Sequence, residues 1–121
     1  SGSSSRYPDI KIIWSHAGGA LLGLVQRFVG EFEDNPKLAE IMPHGPEYEL
    51  RRFYYDTAQS TNPIVMQALK SLVGASQIVF GSDYPYSTIA DHANALRKCG
   101  FTEAELRGID RENALKILPK Y

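Results

Sequence analysis

The sequence predicts an α/β fold built on a parallel sheet, and three observations lead to this prediction. A short run of β-branched or aromatic residues occurs three times in the 121 residues. Each run passes into a loop of small and polar residues, and an amphipathic stretch of helical period follows each loop. Because a parallel neighbour can be reached only through a long return connection, this alternation predicts strands joined by crossover helices.

The first strand-helix unit begins at residues 9–14, an apolar run with several isoleucines. The loop at 15–19 contains two glycines and is expected to turn sharply. A helix is predicted next, since apolar residues recur at i, i+3, i+4 and i+7: Leu21, Leu24, Val25 and Phe28. Residues 34–46 contain three prolines. They are expected to cross the surface with at most a turn or two of helix around 37–41.

The second unit has an aromatic strand at residues 53–56. Asn62 followed by Pro63 is a typical helix start, with Asn as cap and Pro at the first helical position. The helix is expected to end near Gly74. Its predicted buried face comprises Val65, Leu69, Leu72 and Val73.

The third unit has a strand at residues 77–80, a loop at 81–85, and a helix marked by Ile89, His92, Ala93 and Leu96. Two short helices are expected to close the chain. Thr102 and Glu105 have the spacing of a capping box at the first of them. Asp110 is expected to cap the second, which Ala114, Ile117 and Leu118 would bury.

Three strands are too few for a complete sheet of either common α/β type. A closed (β/α)₈ barrel needs about 250 residues, and a doubly wound sheet usually has about five or six strands. We therefore expect residues 7–121 to form the last part of a larger fold, with residues 1–6 as a flexible linker or cloning remnant. The unpaired edge of the first strand should recruit another copy or another piece of protein.

The charge balance excludes several partners. The chain has 13 Lys and Arg against 14 Asp and Glu, with a formal net charge of -1. Nucleic acid and anionic membranes are therefore not expected as partners. A single cysteine, Cys99, and the lack of a signal peptide or of a long apolar run favour a reducing, cytoplasmic setting.

Two loops at predicted strand ends carry side chains suited to chemistry. His16 follows the first strand and Asp83 follows the third. An imidazole there could serve in acid-base work or metal binding, and a carboxylate could bind a cation or deprotonate water. The plainer interpretations are a core histidine bonded to a carbonyl and an aspartate that caps the next helix. The carboxyl ends of parallel strands form the ligand crevice of α/β folds, which favours the site interpretation.

The other candidates are weaker. Asp56 ends the second strand in the same register, and it is expected to bond to backbone or to brace a neighbouring residue. Arg27, expected one turn before the end of the first helix, could pair with a carboxylate but is more often a solvated side chain. His44 and His92 are expected to be structural or exposed. The sequence contains no nucleophile elbow, Walker motif or G-x-G-x-x-G, so serine hydrolysis, phosphoryl transfer and dinucleotide binding lack support.

Taken together, the three strand-loop signatures resemble the C-terminal part of the amidohydrolase superfamily, and more narrowly its aminocarboxymuconate-semialdehyde decarboxylase-like branch. The signatures lie at residues 12–19, 53–58 and 78–85. The resemblance implies a (β/α)₈ (TIM) barrel to which this chain supplies the sixth, seventh and eighth strand-helix units. It also implies a metal-dependent enzyme without an organic cofactor.

The resemblance further implies roles for three residues. Asp83 matches a ligand of a divalent metal, usually zinc. His16 matches a histidine that activates water and moves protons. Arg27 matches an arginine that reaches the carboxylate of the substrate held by a partner subunit, which implies a dimer. The family's other metal ligands lie in the first five units, so the isolated chain is expected to be inactive and poor in metal.

Three functions are left open by the sequence. The first is non-oxidative decarboxylation of an aromatic or unsaturated carboxylic acid, with a carboxylic acid as the small-molecule partner. The second is metal-dependent hydrolysis of a lactone or amide. The third is a catalytically inactive fragment that associates with itself through its sheet edge.

Overall fold

The computed structural model describes residues 2–118 and arranges them as helices packed against a small parallel sheet. The strands are β1 (Ile13–Trp14), β2 (Tyr54–Asp56) and β3 (Ile78–Val79). The helices before β3 are α1 (Ser3–Arg6), α2 (Leu21–Asp34), α3 (Pro36–Ile41), α4 (Pro46–Leu50) and α5 (Pro63–Val73). Those after it are α6 (Ile89–Leu96), α7 (Glu103–Arg107) and α8 (Asn113–Ile117). Short 3₁₀ turns span His16–Gly18 and Ala75–Gln77.

The sheet has the order β1-β2-β3, and both pairings are parallel. Trp14 lies opposite Tyr55, and Tyr55 lies opposite Ile78, so the three strands run in step. Their carboxyl ends therefore lie at one edge of the sheet, which places the loops that start at residues 15, 57 and 80 side by side. The predicted α/β class and parallel pairing are confirmed.

The core lies between the sheet and the helices that follow β2 and β3. Tyr55 is fully buried at its centre, and its hydroxyl donates a hydrogen bond to the Leu50 carbonyl at 3.0 Å. Burial raises the pKa of Tyr55 to about 12. Helix α5 contributes Met66, Leu69 and Val73 to the core, whereas Val65 and Leu72 are only half-buried. The cap is as predicted, because the Asn62 side chain accepts the Val65 N–H at 3.0 Å.

The first unit differs from its prediction in the length of its elements. Strand β1 has two residues and both are exposed, whereas residues 9–14 were expected to be extended. Among the described residues β1 pairs only with β2, so its other edge is open. Helix α2 continues through Gly30 to Asp34, which places Arg27 two turns, and not one, before its end. The proline-rich segment holds two short helices, because Pro36 and Pro46 each occupy a first helical turn, where proline is tolerated.

The C-terminal helices are joined without a break. A π-helical turn at Gly108–Glu112 connects α7 to α8, so Asp110 caps nothing. Its carboxylate instead pairs with Arg97 at 3.2 Å. The predicted buried face was also wrong at Leu118, which is 53% exposed. The buried residue of α8 is Asn113, whose side chain donates to the Ala75 and Ile78 carbonyls at 2.9 and 2.8 Å.

Residues 2–6 contact the rest of the chain, and residue 1 of the expected linker at 1–6 lies outside the described residues. The assignment of residues 1–6 as a linker or cloning remnant stays a prediction. Helix α1 forms a single turn, and the Ser4 hydroxyl donates to the buried carboxylate of Glu49 at 2.8 Å. The Ser5 hydroxyl donates to the Ile41 carbonyl at 2.7 Å. Within residues 2–118, no helix is long and apolar enough to cross a membrane.

Candidate active site

His16 and Asp83 meet at the carboxyl edge of the sheet. His16 follows β1 and Asp83 follows β3, and β2 separates the two strands. Nevertheless His16 Nε2 lies 3.6 Å from Asp83 Oδ2. Their side chains are 45% and 31% exposed, so solvent and small molecules can reach both. The geometry confirms the expectation that the two side chains share one edge.

The backbone of both loops is held in the left-handed region. His16 and Ala17 have φ values of 55° and 54°, and Asp83 has 60°. A residue with a Cβ loses roughly 1–2 kcal/mol in this conformation. Such strain persists only where surrounding contacts hold the chain in place, and it is concentrated at functional sites. Full burial of Ala17 and the turn at Gly18 and Gly19 hold the first loop.

Asp56, at the end of β2, accepts hydrogen bonds from the loop that carries His16. Its Oδ1 accepts the His16 N–H at 2.8 Å and the Ala58 N–H at 3.0 Å. The favoured interpretation of Asp56 as a backbone-bonding residue is confirmed. Its carboxylate thus fixes main chain, and it forms no ion pair with His16 or Asp83.

Thr57 is a site-supporting residue that the sequence reasoning missed. Its side chain is fully buried. The Thr57 hydroxyl donates to the Gly81 carbonyl at 2.9 Å and accepts the Gly81 N–H at 3.0 Å. Gly81 begins the loop that leads to Asp83. A threonine directly after a strand-end aspartate was the available signal, but the sequence does not name its distant partner.

Arg27 does not join the His16–Asp83 pair. It is exposed on α2 and makes no hydrogen bond or ion pair with any residue in the range 2–118. Its guanidinium is therefore available to a group outside the described chain, and its role stays a prediction. The other two histidines lie elsewhere: His92 is buried with Nδ1 3.0 Å from Thr61 Oγ1, and His44 is exposed beside the Tyr48 ring.

As metal donors, the residues present fit only part of a site. The carboxylate of Asp83 and the imidazole of His16 are ligand types suited to zinc or manganese. Catalytic zinc commonly keeps three protein ligands. The part of the chain that the structure describes contains no group of three or more His, Cys, Asp or Glu side chains placed to hold a metal ion. Further donors would have to come from outside residues 2–118.

Comparison with known sequences gives a consistent result. The sequence model of the amidohydrolase family matches residues 1–120. A curated relative, the 6-methylsalicylic acid decarboxylase of Penicillium expansum, is 33% identical over 123 aligned residues. That alignment covers 99% of this chain and 38% of the fungal enzyme. The chain therefore spans little more than a third of the length of this relative.

Solved structures agree on the fold. The 5-carboxyvanillate decarboxylase of Sphingomonas paucimobilis superposes with a TM-score of 0.80 at 21% identity, covering 98% of this chain and 36% of that protein. A dihydroxybenzoic acid decarboxylase from Polaromonas sp. JS666, solved with bound manganese, gives 0.79 at 23% identity with the same coverage, 98% and 36%. The small parallel sheet fits part of a (β/α)₈ barrel of this kind.

Proposed function

Because the chain belongs to the amidohydrolase family, we propose that it carries part of the active site of a metal-dependent, non-oxidative decarboxylase. The proposed substrate is an aromatic or unsaturated carboxylic acid. The three motifs of the sequence led to the same family. The decarboxylases of 6-methylsalicylate and of hydroxylated benzoates among the similar proteins support the reaction class.

One observation carries the proposal for this chain, namely the 3.6 Å separation of His16 Nε2 and Asp83 Oδ2. It places an imidazole and a potential metal ligand at the edge where α/β folds bind ligands. We assign Asp83 the role of metal ligand. This role assumes that the chain supplies the sixth, seventh and eighth strand-helix units of the barrel, as the family resemblance implies. A bound divalent cation would polarise the substrate and withdraw electron density from it. The manganese of the Polaromonas enzyme supports a divalent cation, and the family resemblance implies zinc.

His16 is proposed to handle the proton in this reaction. When the bond between the ring carbon and the carboxylate breaks, CO₂ leaves and the electron pair stays on the carbon. That carbon then takes a proton. Histidine is the side chain whose ordinary pKa best suits proton transfer near neutral pH. The exposure of His16, 45%, leaves its ring accessible to a substrate and to solvent protons.

Arg27 is proposed to bind the substrate carboxylate of a partner subunit in a homodimer. Its guanidinium is exposed and makes no contact with His16 or Asp83 among the described residues. A guanidinium can hold a carboxylate with two parallel hydrogen bonds, which orients the bond that breaks. Tight binding of the ground state alone would not speed the reaction.

The test is an assay of CO₂ release by the complete gene product, supplied with Mn²⁺ or Zn²⁺ and a panel of hydroxybenzoates. We expect release of CO₂ that falls at least about 100-fold in His16→Asn, the scale of a general acid-base contribution. Asp83→Asn should lower both activity and bound metal. His44→Asn is the control, because His44 is exposed and distant in the chain from both loops.

Two results would contradict the proposal. One is hydrolysis of a lactone or amide with no CO₂ released from any acid, which would favour the hydrolase alternative. The other is full activity in His16→Asn. Dependence on Arg27 adds a further distinction, since decarboxylation should weaken in Arg27→Ala whereas lactone hydrolysis should not.

A further inference from the structure

We propose that Asp56 and Thr57, neighbouring residues at the end of β2, are positioning residues that together set the separation between His16 and Asp83. The importance of this separation rests on the proposed function of the pair. The positions of the two loops do not depend on the proposed function, because every contact that fixes them lies between described residues. One residue holds the loop on one side of β2, and its neighbour holds the loop on the other side.

Asp56 holds the loop that carries His16. Its Oδ1 accepts two main-chain N–H groups, that of His16 at 2.8 Å and that of Ala58 at 3.0 Å. One oxygen atom therefore ties the start of the first loop to the start of the second. Hydrogen bonds to a charged carboxylate are roughly twice as strong as those between neutral groups. The bond reaches the backbone of the histidine itself, so its loss would move the imidazole directly.

Thr57 holds the loop that carries Asp83. Its buried hydroxyl bonds both the carbonyl and the N–H of Gly81, at 2.9 and 3.0 Å. The Thr57 N–H also donates to the Val79 carbonyl at 3.1 Å, which continues the ladder between β2 and β3. Two bonds from Thr57 thus fix the backbone of Gly81, two residues before Asp83, and a third fixes Val79 at the end of β3.

Gly81 allows the loop that leads to Asp83 to lie close to the side chain of Asp56. A Cβ added at Gly81 would lie 3.1 Å from both Cβ and Cγ of Asp56, which is tighter than nine in ten real Cβ contacts. The absence of a side chain at this position therefore lets the loop before Asp83 pack directly against the Asp56 carboxyl group. Residues at the end of the central strand β2 therefore fix the backbone of both loops.

The strain in the two loops explains why such supports are needed. His16 and Asp83 have left-handed backbones, with φ of 55° and 60°. Each would relax toward ordinary conformations without fixed contacts. A misplacement of about 1 Å in a catalytic group costs on the order of 100-fold in rate. Asp56 and Thr57 touch neither substrate nor metal in this proposal, and they act through the loops.

The first test is amide hydrogen exchange, followed by NMR on the ¹⁵N-labelled chain. In Asp56→Ala we expect exchange of the His16 amide to quicken about 10-fold or more, as expected when its bond to a charged acceptor is lost. Exchange of the Gly81 amide should change much less. Thr57→Val should have the reverse effect: exchange of the Gly81 amide should become faster, and exchange of the His16 amide should change much less. The Val65 amide, capped by Asn62, serves as the control for global unfolding.

Conservative variants keep the test decisive if the truncated ones fold poorly. Asp56→Asn keeps an acceptor oxygen, and Thr57→Ser keeps the hydroxyl. Each should retain most of the protection lost in its truncated counterpart. The proposal is wrong if Asp56→Ala and Thr57→Val leave both amides unchanged. The proposal is equally wrong if all four variants speed the exchange of the His16, Gly81 and Val65 amides to the same extent.

The second test measures kcat and KM with the complete gene product. We expect kcat to fall about 100-fold in Thr57→Val with KM changed much less, and Thr57→Ser to recover activity relative to Thr57→Val. Equal activity of Thr57→Val and the wild type would refute the positioning role. A wild type that releases no CO₂ would instead defeat the proposed function, and the exchange experiment would still decide whether Asp56 and Thr57 position the loops.

Discussion

Four residues other than glycine have a positive φ among residues 2–118, and three of them lie at the candidate site. These are His16, Ala17 and Asp83, and the fourth is Gln59. The three site residues lie in loops supported by Asp56 and Thr57, which can offset the cost of the conformation. Gln59 is exposed, has a φ of 52° and makes no side-chain hydrogen bond within the described chain. Its strain therefore has no compensation in side-chain contacts.

Gln59→Gly should raise the free energy of unfolding by about 0.5 kcal/mol. Relief of the left-handed strain, roughly 1–2 kcal/mol, exceeds the extra chain entropy that glycine adds to the unfolded state. The matched control is Gln26→Gly on the exposed face of α2, which should lower the same quantity by about 0.5–1 kcal/mol. Urea unfolding measures both. A loss of stability in Gln59→Gly would contradict the argument.

At the scale of the element, side chains after β2 bond the free backbone N–H groups at the starts of several helices. Side chains cap three of them: Asn62 caps α5, Thr88 caps α6 and Thr102 caps α7. The capping box at α7 is as predicted, with Glu105 accepting the Thr102 N–H at 2.8 Å. Glu105 also pairs with Lys70 of α5 at 2.8 Å. This carboxylate therefore links two helices.

The pH dependence of stability should reveal the Glu105 contacts. The hydrogen bond from Lys70 and that from the Thr102 N–H hold the pKa of Glu105 below its usual value. A lowered folded-state pKa stabilises the protein above the ordinary glutamate pKa, about 4.3. This contribution is lost as the pH falls through the lower folded-state value. Urea midpoints of wild type and Glu105→Gln should accordingly differ at pH 6 and converge in acid.

Glu103→Gln is the control for this prediction, because Glu103 is exposed on the same helix turn. Its removal should leave the pH profile close to that of the wild type. A gap between wild type and Glu105→Gln that stays constant from pH 6 to pH 3 would count against the ionised form as the source.

Asn113 connects α8 to the sheet from a buried position. Its amide nitrogen donates to the carbonyls of Ala75 and Ile78, and its Oδ1 accepts from Lys116 Nζ at 3.0 Å. Asn113→Ala should lower the free energy of unfolding by about 2 kcal/mol, since buried carbonyls would lose their donors. Asn94→Ala, at an exposed position of α6, should be neutral or slightly stabilising. Equal effects in thermal unfolding would refute this assignment.

At the scale of the whole molecule, the sheet has an unpaired edge within residues 2–118, and the same residues contain no group of three or more His, Cys, Asp or Glu side chains placed to hold a metal ion. Strand β1 has one open edge there, and Ile13 and Trp14 are 49% and 48% exposed. The proposed metal ligand Asp83, with His16 beside it, likewise falls short of the three protein ligands that a catalytic zinc commonly keeps.

Removal of metal should therefore have little effect on the 121-residue chain. We expect EDTA to change its Tm by less than about 2 °C, because a metal stabilises a fold only by binding the folded state in preference to the unfolded one, and residues 2–118 contain no group of three or more side chains placed to hold a metal ion. Elemental analysis of the purified chain should find no stoichiometric zinc or manganese. A fall of several degrees with EDTA, together with bound metal, would show a donor set beyond His16 and Asp83. Asp83→Asn serves as the control that identifies whether that metal uses the predicted ligand.

The sequence alone determined the α/β class, the parallel sheet, the caps at Asn62 and Thr102 and the placing of His16 and Asp83 at one edge. Each follows from local chemistry: a period of two or of 3.6, a capping side chain, or the rule that parallel strands end on the same side. The cap predicted at Asp110 was wrong because its carboxylate pairs with Arg97, 13 positions away in the sequence. The strand expected at residues 9–14 is confined to Ile13–Trp14.

Tertiary structure alone decided which backbone groups the site residues hold. Thr57 bonds Gly81 across 24 positions of the sequence, and Asp56 bonds the His16 N–H across 40. Local sequence carries no signal for such partners, since they are main-chain N–H and C=O groups of the kind that almost every residue possesses. Only the register of β1, β2 and β3 brings these particular groups together, and with them the 3.6 Å separation of His16 and Asp83.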